Sequence, residues 1–105
     1  MKVIARLNTI LPVMMGENER GTWYRGGCVC ESLDGEGRMM AFVVNGKNRT
    51  EQLQQIPIGS TVEVNFVIES RPYGDRWFTD ARANTVDMLT SSRPTTPINN
   101  VTAEN

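Results

Sequence analysis

The sequence predicts an all-β domain with one short helix, and three observations carry that prediction. Residues 59–69 alternate: Val62, Val64, Phe66 and Ile68 fall on one side, and Glu63, Asn65, Val67 and Glu69 on the other. Such a two-residue period belongs to a strand with one buried and one wet face. Arg71-Pro72-Tyr73-Gly74-Asp75 then turns the chain into Trp77-Phe78-Thr79, with Pro and Gly as turn punctuation, so the two runs read as a hairpin. Helical signal is confined to one short stretch, Asn48 to Ile56. At 105 residues the chain has the length of a single domain, with room for one modest core.

In chain order, residues 2–13 read as the first strand. Val3, Ala5 and Leu7 alternate with Lys2, Ile4 and Arg6; Ile10 and Leu11 extend the apolar pattern, and Pro12 marks an edge or bend near its end. Residues 15–22 read as a polar loop. The second strand is expected from Trp23 to Ser32, with Cys28 and Cys30 inward and Trp23, Arg25 and Val29 on the opposite face. Gly26-Gly27 within it indicates a bulge or a close backbone approach. A hairpin loop at 33–37 leads to a third strand, Arg38 to Val44.

The period then changes. Asn48 with Glu51 fits an N-cap and capping-box acid, Leu53 and Ile56 share a face, and Pro57 ends the helix. Gly59 opens the fourth strand, and the fifth is expected from Trp77 to Asp87. Residues 88–105 are rich in Ser, Thr, Pro and Asn and are expected to form a disordered tail beyond a folded domain of residues 1–87. The resulting order, β-β-β-α-β-β, is that of the OB-fold, a five-stranded Greek-key barrel. A parallel βαβ sheet would need a second crossover helix for which there is no sequence.

On these residues the chain resembles a family. Residues 59–71, GSTVEVNFVIESR, look like the fourth strand of the bacterial and phage single-stranded DNA-binding proteins, and Trp77 to Ala81, WFTDA, like their fifth. Ala5-Arg6-Leu7, with Pro12 after it, is similar to the start of their first strand. The likeness is closer still to a small OB-fold domain family of bacteria and their phages. That family has a Trp opening strand two, as Trp23 does here, and an ending that matches Ile68 to Thr79. The resemblance implies an OB-fold over roughly residues 1–87, single-stranded DNA or RNA as partner, and a homo-oligomer, dimer or tetramer. Two departures stand out. The outward positions of strand three are Met39, Ala41 and Val43 instead of stacking aromatics, and the chain ends in Thr-Ala-Glu-Asn instead of an acidic, aromatic-ended tail.

Composition narrows the function classes. The chain has no His, the commonest general base and metal ligand. Cys28 and Cys30 are two apart, unsuited to a disulfide within one strand and too few for a metal site. They read as small core residues in a reducing compartment. No catalytic residue, metal or cofactor is assigned, and an enzyme is not expected. The start, MKVIARLNTI, lacks an apolar run for a signal peptide or a membrane span. A cytoplasmic protein is expected, in the host cytoplasm if phage-encoded, with neither membrane nor small molecule as partner. Formal net charge is −1, which excludes a generally DNA-coating basic protein. The cations are nine Arg and two Lys, and Arg suits phosphate forks and ring stacking.

Single-stranded nucleic acid needs cations for phosphates and flat side chains for bases. OB-folds present these on the strand 2–3 face and in the loops joining strands 1–2 and 4–5. That selects Trp23, Arg25 and Arg38 near the face and Arg71, Tyr73, Arg76 and Trp77 around the 4–5 loop. Each has a plainer reading. Trp77 is expected to be partly core; Trp23 either packs under a loop or stacks. Arg71 and Arg76 either contact phosphates or pair with Glu69 and Asp75. Tyr73, at a loop tip, has the weakest structural excuse. The expected function is therefore sequence-tolerant single-stranded DNA binding in replication, recombination or repair. The alternative is an OB-fold used for protein–protein contact in a phage or mobile-element assembly, favoured by the near-neutral charge and the apolar Met39 and Val43.

Overall fold

The computed structural model describes residues 1–90. Its elements are β1 (Lys2–Asn18), β2 (Gly21–Ser32), β3 (Met39–Asn45), α1 (Lys47–Gln54), β4 (Thr61–Tyr73) and β5 (Arg76–Thr90). The five strands close a barrel in the order β1-β2-β3-β5-β4, with β4 returning to pair with β1. Every pairing is antiparallel except β3 with β5, which is parallel and short, Phe42 with Ala81 and Val43 with Arg82. This is the OB-fold the element order predicts.

The core follows from the alternation. Ala5, Leu7, Cys28, Cys30, Val62 and Val64 are fully buried, with Phe42, Val44, Leu53 and Ala83 nearly so. Phe66 meets Phe42 edge-on at 5.2 Å between ring centroids. The two thiols are free and lie 4.0 Å apart. Contact with Cys30 and burial hold the Cys28 thiol protonated, so it serves as packing. Gly27 is a close backbone approach: a Cβ there would run into the Phe42 carbonyl oxygen on β3 and lie 3.3 Å from Leu11 Cδ1.

Strand lengths differ from expectation. β1 continues through the polar residues to Asn18 and β2 begins at Gly21, so only Glu19 and Arg20 turn the chain. The intended loop, residues 15–22, is mostly a ladder from Met15 with Tyr24 to Asn18 with Gly21. Backbone pairing, indifferent to side-chain polarity on an exposed ribbon, carries strand structure past the apolar pattern. Arg71, Pro72 and Tyr73 likewise belong to β4, and the turn to β5 is just Gly74-Asp75. Gly74 has φ 66°, a left-handed conformation that glycine adopts without a Cβ penalty. β5 extends to Thr90, pairing Met88 with Val62 and Thr90 with Thr61, so residues 88–90 are strand and not tail. The remaining expected tail, residues 91–105, lies outside the described residues.

The helix starts earlier than expected. Its N-cap is Gly46, no side chain caps it, and Asn48 sits inside the first turn, so the expected capping box does not form. Thr50, nearly buried, instead turns its hydroxyl back to the Gly46 and Lys47 carbonyls at 2.9 Å each. Leu53 and Ile56 pack against the barrel. A two-turn helix depends on that packing to exist.

Candidate nucleic-acid interface

Strand register sorts the functional candidates by face. On β2 and β3 the side chains opposite the core are Trp23, Arg25, Gly27 and Val29, paired with Asn45, Val43 and Ala41. On β4 and β5 the corresponding set is Glu69, Arg71 and Tyr73 with Arg76, Phe78, Asp80 and Arg82. Diagonal contacts within that hairpin agree with this assignment. Arg71 donates from Nη1 to Asp80 Oδ2 at 2.7 Å, Arg82 makes a two-pronged pair with Glu69 at 3.0 Å, and Tyr73 meets Phe78 edge-on at 6.2 Å. Arg25 joins the two halves: its Nη2 lies 3.9 Å from the same Asp80 oxygen, across β3. One outer face thus runs from β2 over β3 to β5 and β4.

Two ribbons extend this face beyond the barrel. β2 pairs with β3 only as far as Arg25, and the Tyr24 carbonyl still accepts the Gly46 amide at 3.0 Å, so residues 21–23 pair with β1 alone. β5 pairs with β3 only at 81–82, so residues 76–80 pair with β4 alone. Because β3 and β5 are parallel, Phe78 lies level with the start of β3, while Trp23 lies past its end. The two aromatic ends stand at opposite corners of the face.

Each aromatic has its own setting. Trp23 is 41% exposed and its indole lies over Gly16 of β1, which has no side chain to displace it. Tyr73 is 77% exposed at the end of β4, opposite Arg76 and in edge-on contact with Phe78. Trp77 is 69% exposed, which corrects the expectation that it is partly core. It pairs with Pro72, on the reverse face that also carries the 2.9 Å Ser70–Thr79 hydroxyl contact. The hairpin has left the barrel by this point and, among the described residues, nothing covers Trp77. Ile68 is 51% exposed at the last rung before the hairpin leaves β3, opposite Ala81.

The arginines differ in how they are engaged. Among the described residues Arg76 has no ion pair. Arg71 pairs with Asp80 instead of the expected Glu69, which Arg82 takes. The Arg82 guanidinium holds the Glu69 carboxyl below the usual carboxylate range. Within this group four guanidiniums face two carboxylates. Arg38 stands apart at the β2–β3 turn, paired with Asp34 and bordering a hollow with Val3, Ile4 and Met40. Between the ribbons is a hollow of about 490 Å³, floored by Gly26, Ala41 and Val43 and walled by Leu11, Met14 and Arg25. Among the described residues no cluster of His, Cys, Asp and Glu could hold a metal, and no helix is long and apolar enough to cross a membrane.

Sequence reasoning missed Phe78 and Arg82. A signal was present: with Gly74-Asp75 as a two-residue hairpin turn, Arg76, Phe78, Asp80 and Arg82 must share the face of Tyr73.

A family model, the domain of unknown function DUF3127, matches residues 2–87. The chain belongs to the DUF3127 family. The matched span covers the barrel except the last three residues of β5. Among solved structures, this DUF3127 domain is similar to the mitochondrial single-stranded DNA-binding protein Rim1 of S. cerevisiae, with a TM-score of 0.61 at 10% identity over 87% of this chain and 95% of Rim1. It is also similar to the small single-stranded DNA-binding protein of Streptomyces coelicolor, with a TM-score of 0.51 at 14% identity over 84% of this chain and 89% of that one. At such identities the likeness establishes the OB-fold of the DUF3127 domain. No curated protein sequence matches it.

Proposed function

We propose that this DUF3127 domain is a non-catalytic binder of single-stranded DNA that does not read sequence. The observation that carries this is one continuous outer face that holds Trp23, Arg25, Arg71, Tyr73, Phe78, Arg76 and Arg82 together. Guanidiniums take backbone phosphates, and the exposed rings stack on bases, which every base permits. The fold shared with proteins whose names state single-stranded DNA binding supports the reading. Replication, recombination and repair are the processes that expose such strands. Arg38 and Trp77 lie off this face and have no part in this reading.

Trp23 provides the readout. Titrating the protein with a dT oligonucleotide at low salt should quench tryptophan fluorescence, and added salt should reverse it. The slope of log K against log salt should be about −0.7 per phosphate contacted. Absence of quenching at micromolar protein and low salt would sink the proposal. A U oligonucleotide in parallel measures preference between DNA and RNA. The reading also includes a homo-oligomer built through β1. Beyond Thr9, β1 has β2 on one side and no strand on the other among the described residues; sedimentation at several concentrations tests this.

A second reading, contact with another protein, draws on exposed Met14 and Met39 on the same face. Partner capture that survives nuclease and high salt would favour it.

A further inference from the structure

Asp80 is one of two carboxylates, with Glu69, on a face suited to phosphates, and the one that two arginines approach. Its side chain is largely covered, and a single oxygen, Oδ2, is approached by two guanidiniums, Arg71 Nη1 at 2.7 Å and Arg25 Nη2 at 3.9 Å. These come from different parts of the chain. Arg71 is on β4, diagonally across the hairpin from Asp80. Arg25 is on β2, opposite Asn45, whereas Asp80 is level with Ala41. The Arg25 side chain must therefore reach along and over β3 to come near. Beneath it are Val43, Ala41 and Gly26, none of them a long side chain, and the hollow of about 490 Å³ opens beside it. Two arginines from opposite sides of the face thus converge on one negatively charged oxygen, at the rim of that hollow.

We propose that Asp80 occupies, in the free protein, the position of a backbone phosphate between Arg25 and Arg71. Binding then exchanges an internal carboxylate for a ligand phosphodiester. This rests on the proposed single-strand binding and names one anion subsite within it. The chemistry is balanced by charge: a phosphodiester oxygen has the same single negative charge as the carboxylate and accepts from the same two guanidiniums. Asp80 turned away remains close to the phosphate and repels it. The carboxylate therefore keeps the two arginines splayed toward the subsite when it is empty, and it lowers affinity for any ligand that enters. A polyanion that engages Arg76, Arg82 and the rings at the same time overcomes that competition, whereas an isolated phosphate does not.

The test is Asp80→Asn, which keeps shape and removes charge. Fluorescence titration with a dT oligonucleotide across a salt series should show affinity about tenfold tighter than wild type at low salt. The slope of log K against log salt should steepen by about 0.7, the increment for one more phosphate neutralised on a single strand. Glu51→Gln, on α1, makes the same change in net charge away from this face and should leave both quantities within experimental error of wild type. Asp80→Ser, which removes the charge and shortens the side chain away from both guanidiniums, should behave as Asp80→Asn does; thermal unfolding of both variants checks that they are folded. If wild type binds and Asp80→Asn binds equally or more weakly with the same slope, the subsite is wrong and the proposed function stands. If Glu51→Gln tightens binding as much as Asp80→Asn, the effect is global charge and the subsite is again wrong. If only the Asp80 variants bind, the competition by Asp80 is supported in its strongest form. If none binds, the proposed function and the subsite fall together.

Discussion

The indole of Trp23 lies across the backbone of Gly16 on the neighbouring strand, so near that a Cβ built there would fall 2.5 Å from Cζ2 and 2.7 Å from Cε2. Gly16 is the seat of the ring. Gly16→Ala should push the indole off the ribbon, shift its emission to the red, and weaken DNA binding by roughly the value of one stacked base, about 1–3 kcal/mol. Steady-state fluorescence and titration measure both. Unchanged emission would show that the ring does not rest there.

The two faces of the β4–β5 hairpin should differ in a titration. Tyr73 and Phe78 are on the face of Arg71 and Arg76, and Trp77 is on the reverse with Pro72. Tyr73→Ala should weaken binding about five- to 150-fold, the range of one stacking contact. Trp77→Phe should leave affinity within about twofold and retain quenching from Trp23 alone. The opposite pattern would place the ligand on the other side of the hairpin.

Stability should divide between the barrel core and the outer part of β4. Leu7 is fully buried in one core with Val62 and Val64, whereas Ile68 is half exposed where the ribbon begins although it continues the alternation of Val62 and Val64. Leu7→Ala should cost about 2–5 kcal/mol, and Ile68→Ala about 0.5 kcal/mol, as surface changes do. Urea unfolding decides. Comparable costs would mean that the ribbon is packed against something in solution.

Asp34 shapes the acid response of the β2–β3 turn. It accepts the Glu36 amide at 2.9 Å and the Ser32 hydroxyl at 2.8 Å and pairs with Arg38. These donors favour the charged carboxyl and lower its pKa from the usual 3.8 to about 2. A folded-state value below the unfolded one stabilises the turn above about pH 4, and that contribution is lost as pH falls toward 2. A carboxyl-resolved NMR titration should give an Asp34 midpoint near 2. A midpoint at the ordinary aspartate value would show the turn to be open.

Within single strands, and for the order of elements, the sequence alone was decisive. Ala5 and Leu7, Cys28 and Cys30, and Val62 and Val64 are inward because period two is a local property of the backbone, readable residue by residue. The single helix between strands three and four, in so short a chain, left the five-stranded barrel as the arrangement that closes. Tertiary structure decided where that period breaks. β1 has an extra residue near Asn8 and β5 one near Asn84, where the registers with β2 and β4 shift. Past each bulge the parity reverses, so Ile10 and Val86 pack on the core although the uninterrupted alternation would turn them out. How far the ribbons run past the barrel was also invisible, since it depends on where β3 stops accompanying its neighbours. That is why Trp77 was expected in the core and stands in solvent. The partners of the arginines were hidden for the same reason. Arg25 and Asp80 are 55 positions apart in the chain and meet only because β3 and β5 pair in parallel, a register that no local pattern specifies.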